Sequence, residues 1–122
     1  MTEVLLIAAA GGVGAVARFV WDGHLRSRAT DYPVGTAIIN LTGSLLLGFV
    51  TGLALSQLLS APWALVLGTG FLGGYTTFST ASVETVRLAQ ERRRLAALLN
   101  GLGLLVASVV LAGIGWWVAS LI

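Results

Sequence analysis

The chain has 122 residues, 57% of them hydrophobic and only 10% charged, with a mean hydropathy of +0.92. A soluble domain of this size keeps too much surface exposed to hide that much apolar area, so lipid is the solvent that suits this single domain. The net charge is +2 and every basic residue is arginine, an excess too small for nucleic-acid binding; the lack of cysteine excludes disulfides and thiolate metal sites.

Met1, Thr2 and Glu3 lack the basic n-region of a signal peptide, so the first apolar run, residues 4–21, is expected to be a retained helix. A polar link from Asp22 to Tyr32 follows, holding His24, Arg26, Arg28 and Asp31. Pro33 opens a second run, 33–59; its missing N–H suits a first helical turn. Ser60, Ala61 and Pro62 make a short turn into the third run, 62–83. A charged link from Glu84 to Arg94 carries Arg87, Arg92, Arg93 and Arg94. The fourth run, 95–122, closes with Trp116 and Trp117, which suit an interfacial belt. The expected fold is an all-α membrane protein, one channel-sized transmembrane domain over 1–122 with four spans and no internal repeat.

Four crossings put both termini on one side. The opposite side, with links one and three, holds Arg26, Arg28, Arg87, Arg92, Arg93 and Arg94, whereas the terminal side holds no arginine. The positive-inside rule then predicts cytoplasmic links and both termini outside. Arg18 falls within the first span. It either snorkels to the headgroups, pairs with Asp22 one turn on, or draws anions toward a vestibule.

Polar side chains in mid-membrane need a partner or a job. Asn40 lies about a third of the way through span two, with Thr36, Thr42 and Ser44 nearby. Its amide serves either an interhelical hydrogen bond or as a donor replacing water around a passing anion. The densest cluster is Gly73, Gly74, Tyr75, Thr76, Thr77, Phe78, Ser79 and Thr80 in span three. Paired glycines followed by β-branched threonines are poor helix formers, so a helix break is predicted here. Broken backbone survives in lipid where it lines a pore or holds an ion. The competing explanation is a kink with hydroxyls bonded to the preceding turn. Gly48 with Gly52, and Gly70 with Gly74, have the spacing that lets helices approach closely. Residues 68–73 match GxGxxG, but a dinucleotide site needs a strand before it, and this stretch lies within an apolar run. No nucleophile, base and acid trio accompanies the single His24, so an enzyme is not expected.

Three motifs resemble the Fluc/CrcB family of bacterial fluoride channels. Residues 11–18 read GGVGAVAR, like the family's GGxGAxxR. Pro33, Gly35, Thr36, Asn40, Gly43 and Ser44 follow its PxGTxxxNxxGS. Residues 70–80 read GFLGGYTTFST, like its GFxGGxTTFST. The resemblance covers nearly the whole chain. It implies an inverted, antiparallel dimer with two narrow fluoride pathways at the subunit interface, and passive efflux across the bacterial inner membrane. It implies a structural sodium ion on the dimer axis, not transported, held by main-chain carbonyls of Gly73 and Thr76. The fluoride pathway it implies uses Asn40, Thr77, Phe78, Ser79, Thr80 and Ser108, with Phe78 presenting its positive ring edge.

The chain departs from that pattern in three ways. Where the family motif has a second phenylalanine, three residues after Phe78, this chain has Ala81. In the fourth span, Asn100 and Ser108 match polar positions, but Leu104 between them is apolar. The one-sided arginines disfavour insertion in both directions. Together these features suggest a fixed orientation and pairing with a related, oppositely biased chain that keeps one good pathway. The alternatives are a small proton-coupled four-helix exporter, which would need a mid-span carboxylate that the sequence lacks, and a weakly conducting partner subunit.

Overall fold

The computed structural model describes residues 1–26 and 31–122, and leaves the side chain of Arg26 undescribed. Arg28 and the Arg26 side chain, both counted in the charge asymmetry, therefore lie outside the described residues. Among the described residues every regular element is helical. Helix α1 covers Thr2–Arg26 and α2 covers Val34–Leu55. The third helix is in two halves. The first, α3 (61–75), contains a widened π-helical stretch at Leu65–Leu72. The second, α4, covers Phe78–Gln90. Helix α5 covers Arg94–Ala119 and is π-helical at Leu99–Gly103.

Three helices, α1, α2 and α5, are long and apolar enough to cross a membrane. The third expected span lacks that continuity because the chain leaves the helix at Thr76 and Thr77, which adopt extended conformations (ψ 162° and 121°). The break therefore falls within the predicted glycine and threonine cluster.

The termini of the helices differ from the hydropathy boundaries. Helix α1 runs through His24 to Arg26, into the expected first link. Helix α2 stops at Leu55, before the expected 59, and Gln57 turns left-handed (φ 60°). Helix α4 passes through Glu84 and Arg87, so the expected Glu84–Arg94 link shrinks to a short turn. Its continuation is amphipathic: Leu88 is buried while Arg87 and Gln90 are exposed. Arg92, also at φ 60°, ends α4 in a Schellman turn, in which the Arg93 N–H donates to the Leu88 carbonyl (3.0 Å) and the Arg92 N–H to that of Ala89 (3.0 Å). A side chain in that conformation costs roughly 1–2 kcal/mol.

Most large apolar side chains point outward, and the closest helix contacts are made by small residues. Val4, Val13, Phe19, Leu95 and Val109 are all more than half exposed, whereas the buried apolar core among the described residues is limited to Ile39, Leu72, Leu88, Ala97, Leu104 and Ala119. In lipid no hydrophobic force drives helices together, and close backbone packing takes its place. Two tight pairs result. Helix α1 meets α3, where a Cβ at Gly14 would overlap the Phe71 carbonyl and one at Gly74 the Gly11 carbonyl. Helix α2 meets α5, where a Cβ at Gly48 would overlap Ala112 and one at Gly115 the Leu45 carbonyl. Both small-residue pairs noted in the sequence thus lie at packed helix contacts. The first half of α5 also packs on α4.

Candidate functional site

The site begins with the unpaired backbone that a helix break creates. In a continuous helix the Thr77 N–H would bond the Gly73 carbonyl, and the Thr80 N–H that of Thr76. Here both donors are diverted. The Thr77 N–H donates to Asn40 Oδ1 (2.8 Å), and the Thr80 N–H donates to the Thr77 hydroxyl oxygen (3.2 Å). The Asn40 amide returns a second bond, Nδ2–H to the Thr77 carbonyl (2.8 Å). One side chain of α2 thus satisfies both main-chain groups of the buried Thr77, in the manner of a neighbouring strand. Thr77 in turn caps α4.

Two further contacts fix the break to α2. Tyr75, stacked on Phe71 with ring planes 6° apart, places its hydroxyl 3.1 Å from Thr42 Oγ1. The Thr42 hydroxyl already donates to the Ile38 carbonyl (2.7 Å), so Tyr75 is the donor. One turn before Asn40, the buried Thr36 hydroxyl donates to Glu84 Oε1 (2.8 Å). Asn40 with Thr77, and Thr36 with Glu84, are successive polar rungs between α2 and α4.

Two cavities flank these rungs. A cleft of about 640 Å³ is lined by Asn40, Thr77, Phe78, Ala81, Asn100 and Ser108, among others. A wider vestibule of about 1030 Å³ is lined by Ser79, Thr80, Glu84, Arg87 and Tyr32, among others. The six residues expected along one pathway therefore divide. Asn40, Thr77, Phe78 and Ser108 share the cleft, whereas Ser79 and Thr80 face the vestibule, with Thr77 between the two groups. The Thr77 hydroxyl donates to Thr80 Oγ1 (3.1 Å). That bond leaves the Thr80 proton available to the vestibule. Phe78 is 83% exposed, beyond the cover of its own chain. Gly73 is exposed and Thr76 partly so, at the end of α3.

Arg18 is half-buried on α1 and lines neither of these two cavities. In the vestibule, burial and the Glu84 charge both push the Tyr32 phenol pKa up.

Thr36, Glu84 and Asn100 are among the polar residues whose partners the sequence does not announce. Asn100 is buried on α5 and donates through Nδ2 to the Ala81 carbonyl (3.1 Å) and Thr85 Oγ1 (3.0 Å). Its Oδ1 finds no hydrogen bond among the described residues. Its signals in the sequence are an amide within an apolar run and the match to a polar position of the resembled family.

Residues 5–116 match the family model described as CrcB-like protein, Camphor Resistance (CrcB). A Leifsonia xyli protein named fluoride-specific ion channel FluC 1 is 58% identical over 97% of this chain and 87% of its own length. A FluC 2 of Mycolicibacterium paratuberculosis is 52% identical over 88% of this chain and 82% of its own. One from Cutibacterium acnes is 48% identical over 92% and 93%.

Proposed function

Because this chain belongs to the CrcB family, an ion-channel family and not one of enzymes, we propose that it is a subunit of a fluoride-selective passive channel that lowers cytoplasmic fluoride. The observation that carries this reading is the break in the third helix, held open by the two bonds between Asn40 and Thr77.

Stripping water from a small anion costs on the order of 20 kcal/mol in an idealised Born estimate, so a pore must replace that water with donors. The cleft and the vestibule present such a series. Asn40 keeps a second Nδ2 proton after bonding Thr77, and Ser108 adds a hydroxyl on the cleft side. Ser79 and Thr80 supply hydroxyls on the vestibule side. The exposed ring of Phe78 has a positive edge to present between them. Arg18, which lines neither cavity, is assigned to the cytoplasmic approach or to the headgroup level.

The structural sodium ion fits the donors at the break. The N–H groups that would occupy the Gly73 and Thr76 carbonyls in a helix are bonded elsewhere. Carbonyl oxygens freed this way are hard ligands that suit a hard cation. One chain supplies two of them, so a second subunit is required to complete the set. Bound there, the ion would pin two breaks together.

That second subunit is inverted, in the bacterial inner membrane. Both termini of this chain face outward, by its arginine bias. Ala81 favours a related but unlike partner, because the cleft beside it has no second ring of its own. A weakly conducting role for this chain within such a heterodimer is the specific alternative.

The test is efflux of fluoride and chloride from liposomes holding this chain alone, or with a paralogous chain of opposite arginine bias. Fluoride efflux with little chloride efflux supports the channel. Comparable chloride efflux sinks selectivity. Robust fluoride efflux from the lone chain removes the obligatory partner, whereas efflux only from the mixture supports it. Export of an organic cation driven by a pH gradient would replace the channel with the proton-coupled exporter.

A further inference from the structure

The turn between α4 and α5 carries three consecutive arginines, and the structure gives them different company. Arg93 Nη1 donates to the Asp31 carbonyl (2.7 Å), strapping the two loops together. Arg87, one turn earlier, pairs with Glu91 (2.9 Å). Arg92 and Arg94 are exposed, and neither has an ion pair or hydrogen bond from its side chain among the described residues. Arg92 also occupies the left-handed position of the Schellman turn (φ 60°). Glycine is the usual residue there. Two unneutralised guanidinium groups thus flank a third in one turn, one of them in an unfavourable backbone conformation.

The surface next to them is apolar. Leu95, Leu98, Leu99 and Leu102 are 69%, 56%, 53% and 58% exposed. Their spacing, i, i+3, i+4 and i+7, puts them on one stripe of α5 that starts beside Arg94. A cationic turn at the head of an apolar stripe complements the two-part chemistry of a phospholipid: phosphate at one end, acyl chain at the other.

We propose that this turn binds an anionic phospholipid, with its headgroup phosphate between Arg92 and Arg94 and an acyl chain along Leu95, Leu98 and Leu99. The occupant is anionic because a zwitterionic headgroup would leave the added arginine charge uncompensated. The proposal requires only that α5 lies in a bilayer, not that the chain conducts fluoride, so the two can fail separately. Positive-inside topology alone explains arginines at this end of the helices. It does not require a headgroup preference at this turn.

The experiment is electron paramagnetic resonance on purified protein reconstituted in phosphatidylcholine vesicles, with a minor fraction of spin-labelled phosphatidylglycerol or spin-labelled phosphatidylcholine. Label in both leaflets makes the readout independent of insertion direction. One or two arginines near an anionic headgroup correspond to a preference of about five- to thirtyfold. The parent should immobilise phosphatidylglycerol preferentially by an amount in that range, and high salt should reduce it. Arg92→Gln with Arg94→Gln should bring the two lipids toward parity. Arg87→Gln, which touches a charge already paired, should leave the preference standing. Equal immobilisation in the parent, or a preference that survives the double substitution, would overturn the site. Displacement by millimolar inorganic phosphate would also overturn it, by making free phosphate the ligand.

Discussion

Helix α2 meets α5 through glycine and meets α4 through hydrogen bonds. On the α5 side, Gly48 lies against the Ala112 main chain, and Gly52 against the Ala119 methyl group and the Trp116 main chain. On the α4 side, Thr36 and Asn40 reach across to Glu84 and Thr77. The first contact admits only backbone and a methyl group, and gains dispersion and weak polar contacts along its length. The second keeps two cavities open beside it. One helix therefore supplies both rigidity and a site, and the two faces should respond differently to substitution. The glycine face should fail by overpacking. The polar face should fail by leaving backbone groups unpaired.

Gly48→Leu should have the largest effect. The obstructing atoms belong to the Ala112 main chain, which cannot rotate aside. Overpacking of this kind is expected to cost about 3 kcal/mol or more, read as loss of monodisperse protein on size exclusion in detergent. Gly113→Leu is the control, because nothing lies within 4 Å of a Cβ there. A Gly48→Leu protein as well behaved as the control would break the comparison.

Asn40→Leu comes next. It leaves the Thr77 N–H and carbonyl without their partner, about 1–3 kcal/mol for each buried group, and should abolish fluoride efflux. Asn40→Asp keeps an acceptor for the Thr77 N–H but loses the donor to the Thr77 carbonyl, so its thermal stability should fall between the two. Were Asn40 solely an anion ligand, both variants would lose efflux while melting like the parent.

Thr77→Ala removes the cap of α4, a loss of about 0.5–2 kcal/mol, whereas Thr77→Ser keeps the capping oxygen. Thermal melts should order parent, Ser and Ala in decreasing stability. Equal melts for Ser and Ala would shift the role of Thr77 from its hydroxyl to its methyl group.

What could be read in advance follows the range of the interactions. The helix break was legible because its cause is local: Gly73, Gly74, Thr76 and Thr77 are neighbours in the chain. Glycine packing was legible as spacing, but which helix each glycine meets was not, since Gly48 and Ala112 are brought together only by the fold. The same distance hides the polar rungs. Asn40 and Thr77 are 37 residues apart, and Thr36 and Glu84 are 48 apart. Glu84 reads from sequence as the end of a span because a carboxylate in lipid is costly. In the structure, the Thr36 hydroxyl offsets part of that cost and α4 runs on to Gln90. The two groups of pathway residues are separated for a similar reason. Helical rotation after the break points Phe78 to the cleft side and turns Ser79 and Thr80 toward the vestibule.

The smallest predicted effect lies at the vestibule end of the polar face, where Tyr32 lies near Glu84. Its phenol pKa is raised above the ordinary 10.0 by burial first and by the Glu84 charge second. The folded state thus holds this proton more tightly than the unfolded state does. Below about pH 10 both states keep the proton and Tyr32 contributes no pH dependence. Above that value the unfolded chain releases it first, and stability falls as pH rises until the folded phenol ionises too. Melting temperatures measured from pH 8 to pH 11 should decline at the alkaline end for the parent and decline less for Tyr32→Phe. The glycine face has no titratable group, so Gly113→Leu should retain the full alkaline decline. If Tyr32→Phe also retains it, the effect arises elsewhere, and the Glu84 charge does not reach across the vestibule as strongly as the polar rungs imply.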